Sequence, residues 1–428
     1  MRVFIGPVEV AGLGAGWAMG LRAIGVPAEL VCAYRHPFAY SNDAPQGLAA
    51  RAWTRLGSWR VTLPRRRLLA KSFAFALQQL VGWWVLAWAM WRYDAFVFLY
   101  GQTITNTRAE LALLRAARKR VVVVFVGSDA RPPYIDGSLF PANEPFDAVG
   151  AARASRRQQR KVARLERGAN VCINAPATAH FQQQRFVNWF ALGIPRDVRP
   201  PAHAPSPRPV LRLLHSPSHP VLKGTASIRA MVDRLNARAL AVELVIIEGR
   251  PNAEVMEAMR DCDLVVDQLY SDTPMAGFAT EGASQGRAVL VGGYRAAAVE
   301  RDLVGLPVPP SCFVLPENFE AALERLVRDH GERESLGAAG RAFVAKQWPH
   351  AAVAQRLARV LHGDVPDAWW CDPAQVDHLH GVGLCDAVAR EHVRALIDRC
   401  GTSALQLDDK PALRQAFVDF ARDARRPA

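Results

Sequence analysis

Cysteine and lysine are both scarce in this chain of 428 residues, which has seven cysteines and six lysines. The cysteines are scattered, and none forms the C-x(2–4)-C half-site of a structural zinc site. Scattered thiols without a disulfide framework are typical of a reducing compartment. The first five residues, Met1 to Ile5, resemble a β-strand rather than an export signal. These features predict a cytoplasmic protein.

Acidic residues are also in short supply, because 40 Asp and Glu residues face 53 Lys and Arg residues and leave a formal charge of +13. This excess favours an anionic partner, such as a nucleotide phosphate, an acidic glycan, a lipid surface or nucleic acid. The basic residues lack the interleaved aromatic side chains of single-strand stacking platforms, so we expect no nucleic-acid partner. The length predicts at least two domains, each with its own core.

The dinucleotide-binding fingerprint is absent as well. A predicted strand at residues 2–6 is followed by Gly12, Gly14 and Gly16, a G-x-G-x-G loop that leads into a helix. The fingerprint needs G-x-G-x-x-G and an acidic residue about 20 positions later. We predict that Gly12 and Gly14 let the backbone approach a ligand or a facing domain, and a plain turn is the alternative.

The longest apolar segment is residues 73–91, which contains four tryptophans. It is long enough to span a bilayer, but Gln78 and Gln79 interrupt it. Its helical spacing predicts a buried or half-buried helix of the first domain. Docking at an anionic membrane interface, beside the arginines at 65–67, and a transmembrane span are the alternatives. The predicted apolar face consists of Phe73, Leu77, Val81, Trp84, Trp88 and Trp91.

Residues 264–291 have the pattern of a strand, a loop, a helix and a second strand. Continuous apolar strands of this kind belong to parallel sheets covered on both faces, where ligands collect at the carboxyl ends. Gly286, just past the helix, suits a left-handed C′ residue. Glu281 falls in the predicted first turn of the helix. There it could grip vicinal hydroxyls beside free N–H groups, or merely complement the helix dipole.

This segment, D-Q-x(8)-G-F-A-x-E-x(4)-G-x-x-V, resembles the donor-site segment of retaining glycosyltransferases of family 4. The resemblance implies the α/β fold called GT-B, in which two Rossmann-like domains with parallel sheets face each other across a cleft. It also implies that Glu281 holds the nucleotide ribose. The family's first glutamate falls here on Thr273, beside Asp272. The matching positions are Asp267, Gln268, Gly277, Phe278, Ala279, Glu281, Gly286 and Val289.

A second matching segment is the loop at 216–224, which follows a predicted strand. In the family this loop carries an arginine and, five residues later, a lysine, which neutralise the donor diphosphate. Lys223 matches the lysine, whereas Ser218 stands at the arginine position. Neutralisation would then rest on Lys223, helped by His219 and backbone N–H groups. The predicted donor-binding residues are Ser218, His219, Lys223, Gly224, Glu248, Gly249, Asp267, Gly277, Phe278, Ala279 and Glu281.

In the first half of the chain, VVVFVGSDARP resembles the cleft turn of the same enzymes, with Val126 where many members have a histidine. Asp129 is thereby a candidate to orient an acceptor hydroxyl, and Arg131 either pairs with it or meets an anionic acceptor. The alternative is that Asp129 caps its own turn. We predict Gly12, Gly14, Ser128, Asp129 and Arg131 on the acceptor side, and Asp129, Lys223 and Glu281 as the catalytic residues.

Six prolines between residues 195 and 209 indicate a stiff connection between domains. We predict an acceptor-binding domain at 1–205, a nucleotide-sugar-binding domain at 206–350, and a crossover helix with a C-terminal helical extension at 351–428. A C-x(6)-H-x-H-x(4)-C cluster at 371–385 is conceivable as a zinc site, but it lacks the usual half-sites, so we expect no metal.

The resemblance implies a hexosyltransferase that moves a sugar, with retention, from a nucleotide-sugar such as a UDP- or GDP-sugar, and it implies no cofactor. The acceptor would be a glycan, a lipid-linked molecule or a small molecule, in the synthesis of cell-surface polysaccharide or glycoconjugate. Peripheral attachment at the inner face of the membrane is a second expectation for its location. Two alternatives remain open: a non-catalytic binding protein with this fold, and a sugar-nucleotide epimerase or phosphorylase on the same fold.

Overall fold

The computed structural model describes residues 1–34, 47–64, 66–198 and 209–422, which form two sheets. The first sheet has seven strands and is parallel except for its last strand, and the second has five parallel strands. The first contains β1 Val3–Gly6, β2 Ala28–Leu30, β3 Ala95–Leu99, β4 Arg120–Val124, β5 Val171–Asn174, β6 Phe186–Asn188 and β12 Trp370–Cys371. The second contains β7 Leu211–His215, β8 Val242–Ile246, β9 Leu264–Val266, β10 Ala288–Gly292 and β11 Cys312–Val314.

Helices cover both faces of each sheet. Those before β7 are α1 Leu13–Ala23, α2 Leu48–Thr62, α3 Leu68–Arg92, α4 Arg108–Ala116, α5 Ala148–Gly168 and α6 Trp189–Leu192. Those from β7 to the end of the second sheet's unit are α7 Pro220–Lys223, α8 Thr225–Ala237, α9 Asn252–Arg260, α10 Gly277–Ser284, α11 Val299–Asp302, α12 Phe319–Arg328 and α13 His330–Gln347. The remaining three are α14 His350–His362, α15 Asp386–Cys400 and α16 Pro411–Arg422.

The two sheets share one strand order. The first runs β12-β6-β5-β4-β3-β1-β2 and the second β11-β10-β9-β7-β8, so in each the first strand lies between the second and the third. In such sheets the order reverses beside the first strand, and ligands bind outside the carboxyl ends of the strands at this switch point. The segments after β1 and β3, and after β7 and β9, are therefore the places to look for a site.

The predicted architecture of two parallel α/β units is confirmed, and its cause is visible in the burial of the strands. Every residue of β3, β9 and β10 is buried, because helices cover both faces. The predicted boundary at residues 205 and 206 lies outside the described residues, as does Arg65. The domain limits therefore stay a prediction.

Helix α3 is half-buried, and its predicted apolar face turns inward only in part, because Leu77, Val81 and Trp88 are half-buried. The helix packs through a stripe of small or slender residues, while Phe73, Trp84 and Trp91 are exposed. Gly57 on α2 allows this close packing, because a Cβ there would lie 2.4 Å from Gln78 Nε2 of α3. A Cβ on Gly57 would lie only 1.8 Å from the carbonyl oxygen of Ala33. The buried residues of α3 are Ala74, Gln78, Gly82, Val85, Leu86 and Ala89.

The end of the chain returns to the first sheet, as predicted for a crossover helix. Helix α14 packs against α1, where a Cβ on Gly20 would lie 2.2 Å from the carbonyl oxygen of His350. Strand β12 then pairs antiparallel with β6. The two predicted helices of the extension are α15 and α16, and α15 packs on α5.

Candidate functional site

A cleft of about 370 Å³ lies between the two units at the carboxyl ends of their sheets. The segment after β1 contributes Val10 and Ala11 to its wall, and the turn after β4 contributes Phe125 and Val126. The opposite wall comes from the segments after β7, β8 and β9. Of the predicted donor-binding residues, the cleft is lined by Ser218, Lys223, Gly249, Asp267, Gly277, Phe278 and Glu281.

Glu281 lies on α10, which begins at Gly277, so it stands in the second turn and not in the predicted first turn. Its buried Oε1 accepts hydrogen bonds from Arg196 Nη2 at 2.6 Å and Asn252 Nδ2 at 2.9 Å. Among the described residues, Oε2 accepts none. Because the dipole effect is concentrated in the first turn, the dipole interpretation loses its basis, and Oε2 is left to serve a ligand.

The pKa of Glu281 depends on opposing effects of burial and of the Arg196 cation. Burial raises the pKa of the Glu281 carboxyl above that of an ordinary glutamate, although Arg196 and the hydrogen bond from Asn252 lower it. The nearby carboxylate of Asp267 raises it further. The group therefore gains its charge at a higher pH than an exposed glutamate would.

Lys223 stands at the switch point of the second sheet, at the end of the four-residue helix α7 after β7. Its Nζ donates to Gln268 Oε1 at 2.7 Å and lies 3.6 Å from Asp267 Oδ1. Asp267 and Gln268 follow β9, so the ion pair bridges the two strands on either side of the switch point. The ammonium is thereby held in the cleft wall, where it can meet an anionic ligand.

Three buried polar atoms in the cleft wall have no partner among the described residues. They are Asp267 Oδ2, Thr273 Oγ1 and Trp189 Nε1. Buried polar groups in proteins are nearly always hydrogen-bonded, and an unpartnered atom marks a place where a ligand or water bonds. Together they offer an acceptor, a hydroxyl and an N–H donor, which suits a ligand rich in hydroxyl groups.

Four predicted donor-binding residues do not line the cleft. His219 and Glu248 are exposed beyond it, and the His219 side chain accepts a hydrogen bond from Leu222 N at 3.5 Å. Gly224 takes a left-handed conformation with φ 73°, which ends α7. Ala279 is fully buried in the core between α10 and the sheet. Gly224 therefore has a role in the turn that ends α7, and Ala279 has a role in packing.

On the acceptor side, Gly12 and Gly14 do not open the backbone to a ligand. Glu9 occupies the N-terminus of α1, where its carboxylate accepts from Gly14 N at 3.1 Å and Ala15 N at 2.8 Å. A Cβ on Gly14 would meet β2 and β3 side chains. The loop instead approaches the facing unit, because Ala11 Cβ lies 3.4 Å from the Cβ position of Gly277.

Asp129 caps its own turn, which is the alternative interpretation. Its Oδ1 accepts from Val126 N at 3.0 Å and Gly127 N at 2.9 Å, while Oδ2 is buried without a partner among the described residues. Burial raises the pKa of this carboxyl, and nearby Lys161 lowers it. Ser128 Oγ pairs with Ser138 Oγ at 3.0 Å. Neither Asp129 nor Ser128 lines the cleft.

Arg131 does not pair with Asp129, which corrects that part of the prediction. Its buried guanidinium binds Asp136 at 2.8 Å and also Asp272, which belongs to the other unit. Burial alone would lower the pKa of Arg131, but the two carboxylates raise it above its ordinary value. The ion pair of Arg131 with Asp272, which we call the Arg131–Asp272 bridge, joins the two units across the cleft.

Sequence reasoning missed the residues that position Glu281. Arg196 comes from the proline-rich connection, and Asn252 begins α9 and donates its side-chain amide to Glu281. Thr225, the first residue of α8, pairs its hydroxyl with His215 Nε2 at 2.9 Å. Arg250 also lines the cleft, next to Gly249. Only its place after a strand's carboxyl end could have signalled it.

The cysteine and histidine cluster of the extension does not assemble. His380 Nε2 pairs with Asp386 Oδ1 at 2.7 Å, and His378 is buried beside His180. In the described part of the chain, no three His, Cys, Asp or Glu side chains are grouped so as to hold a metal ion.

No protein-family model matches the chain, and no curated protein matches it either. Solved structures do match. The catalytic domain of starch synthase IV from Arabidopsis thaliana, bound to ADP and acarbose, has a TM-score of 0.52 at 11% identity over 85% of this chain and 99% of its own.

Two further structures are more distant. HepE from Anabaena, in complex with UDP, has a TM-score of 0.43 at 12% identity over 85% of this chain and 100% of its own. A mutant of TarM from S. aureus has a TM-score of 0.45 at 9% identity over 66% of this chain, which spans 59% of the TarM chain. With the strand order and the cleft, the match to the starch synthase shows that this chain has the GT-B fold.

Proposed function

We propose that the protein is a glycosyltransferase that moves a sugar from a nucleotide-sugar to an acceptor hydroxyl in the interdomain cleft. The observation that carries this proposal is the meeting of Glu281 and Lys223 in one wall of the cleft, around Asp267. A carboxylate with a free oxygen and a fixed ammonium are the two groups that a ribose and a diphosphate require.

The donor's charge would be met by Lys223 and by Arg250. Lys223 is the ammonium at the switch point, and Arg250 is exposed in the cleft mouth after β8. Ser218 also lines the cleft, but a hydroxyl there cannot supply the positive charge that an arginine would. We propose that Arg250, from the neighbouring strand, supplies part of this charge.

The chemistry would need little from the protein beyond charge and positioning. As the glycosidic bond to the donor phosphate breaks, negative charge grows on the leaving diphosphate, and fixed cations stabilise it. With retention, as the resemblance implies, the departing phosphate takes the proton of the incoming hydroxyl. A protein base is then unnecessary, which agrees with Asp129 being engaged in its turn.

We propose a UDP- or GDP-sugar as donor, and a glycan, lipid-linked or small-molecule acceptor in cell-surface polysaccharide or glycoconjugate synthesis. The starch synthase that shares the fold is bound to ADP and acarbose. That pairing of a nucleotide with a glycan is the kind of ligand pair that this cleft would hold. The cytoplasmic location remains our proposal.

The test is a screen of nucleotide-sugars by thermal shift, followed by chromatography of the nucleotide released with and without an acceptor mixture. A ligand that binds only the folded protein raises its melting temperature. Glycosyl transfer predicts free nucleotide that increases when acceptor is added. Binding without nucleotide release would favour the non-catalytic alternative, and an isomerised nucleotide-sugar would favour an epimerase.

A further inference from the structure

The α2–α3 hairpin exposes an unusual amount of apolar surface. Leu69 is 89% exposed, Phe73 64% and Trp84 63%, and Leu68, Phe75 and Leu80 are exposed with them. Exposed apolar patches of this kind mark surfaces that contact a partner or a membrane. Because α3 packs through its small residues, its large side chains are left outside.

The charge of the hairpin has a single sign. From residue 44 to residue 93 the sequence contains no aspartate or glutamate, and α2 and α3 with their connection carry eight arginines and lysines. An open groove between the two helices, of about 560 Å³, is lined by the cations Arg60 and Lys71 together with Ser72 and Phe75. The Arg60 guanidinium lies 5.4 Å from the Phe75 ring centre. The surface is therefore both apolar and cationic.

The hairpin also has a defined position relative to the cleft. Gln78 Nε2 donates to Ala33 O at 3.0 Å, and Thr54 Oγ1 donates to Cys32 O at 2.7 Å, so both helices pass the carboxyl end of β2 at these points. Helix α3 ends where β3 begins and runs opposite to the strands. Its ten residues before Gln78 therefore reach about 15 Å beyond the sheet edge, on the side of the cleft.

We propose that the α2–α3 hairpin docks the protein on an anionic lipid bilayer, with its apolar side chains in the headgroup region and its cations against lipid phosphates. Tryptophan, phenylalanine and leucine beside arginine are the composition of interfacial membrane helices. The single sign of charge makes two copies of this surface repel each other, so a second copy of the chain is a poor occupant.

Docking differs from spanning. Helix α3 is the helix in the described ranges that is long and apolar enough to cross a membrane. One third of its most apolar 18 residues is buried in the protein, and Tyr93 and Asp94 lead straight into β3. The packed stripe holds the helix on the first sheet, so only its outer face is free for lipid.

The experiment is flotation of the purified protein with vesicles of phosphatidylcholine, alone or mixed with phosphatidylglycerol. We expect binding to the mixed vesicles that falls steeply as salt rises, because exposed charges are screened. The double variant Leu69→Glu/Phe73→Glu should reduce binding on the order of tenfold or more, since each side chain loses its lipid contact and gains a repelled charge. Val304→Glu, at a 73% exposed position of the second unit, is the matched control and should bind normally.

Three outcomes would overturn the proposal: no binding to mixed vesicles at low salt, binding that survives the double variant, or hairpin-dependent dimers in sedimentation without lipid binding. Circular dichroism of the double variant tests whether it is folded. The readout is lipid binding alone, so its failure leaves the proposed transfer reaction untouched, and failure of the reaction leaves the docking surface untouched.

Discussion

Glu281 is a buried carboxylate whose Oε1 is engaged by Arg196 and Asn252. In the proposed donor site, its charge would decide how strongly it accepts hydrogen bonds from a ribose. Glutamine keeps an oxygen for Arg196 and Asn252 but loses the charge. We expect Glu281→Gln to lower kcat/KM on the order of 10–100-fold, about 1.4–2.8 kcal/mol of transition-state stabilisation. Glu257→Gln, at an exposed position on α9, is the control and should keep full activity.

The pH profile gives the same residue a second readout. Burial raises the pKa of Glu281, so its charged form, which the proposed donor site uses, is lost while the pH is still above 4.5, the ordinary glutamate value. We expect the acid limb of kcat/KM to lie above that pH and to disappear in Glu281→Gln. An unchanged acid limb in the variant would remove Glu281 from the donor site.

Lys223 is tested by removing its ammonium. We expect Lys223→Ala to weaken nucleotide-sugar binding by about 1.5–3 kcal/mol, the range for a hydrogen bond to a charged group, measured by calorimetry. Lys346→Ala, at an exposed position on α13, removes the same charge outside the cleft and should bind donor normally. Equal affinity in the two variants would contradict a diphosphate role for Lys223.

At the scale of elements, the contact of α1 with α14 depends on a missing side chain. A Cβ on Gly20 would lie 2.2 Å from the carbonyl oxygen of His350. This oxygen belongs to the backbone, so it cannot avoid the clash by a change of rotamer. We expect Gly20→Val to lower the free energy of unfolding by about 1–3 kcal/mol, as overpacking does, measured by urea denaturation. Met19→Ala, beside it on an exposed position, should leave the value nearly unchanged.

The elements that could be predicted well from the sequence are the strands formed by continuous runs of apolar residues. Residues 264–266 and 288–292 became strands because burial on both faces requires apolar residues throughout. The face of α3 was predicted only in part, because helical spacing groups residues but does not say which group faces inward. Here α3 turns its small and slender residues inward, and the tryptophan buried beside it is Trp53 of α2.

The candidate site was predicted in its local parts and missed in its long-range ones. Lys223 and Glu281 lie in the cleft where the motif placed them. Arg196 is 85 positions from Glu281, and Arg131 is 141 positions from Asp272, so no local pattern links them. Such contacts depend on how the two units sit together, which a motif does not describe.

At the scale of the whole molecule, the Arg131–Asp272 bridge ties the two units across the cleft. Asp272→Asn leaves Arg131 with Asp136 alone and weakens a buried ionic contact. We expect the contact between the two units to lose about 1.5–3 kcal/mol and the radius of gyration in solution scattering to increase. Asp408→Asn, which breaks a surface pair with Arg414, should leave scattering unchanged.

The return of the chain to the first sheet has a consequence for its synthesis. Strand β12 and helices α14 to α16 complete the first unit, yet they are translated only after all of β7 to α13. On the ribosome, the earlier unit must wait with its α5 face uncovered while the later unit folds. The whole of β7 to α13 is thus available for folding before the first unit is complete, and a chaperone that binds uncovered apolar surface would meet the nascent chain at that stage.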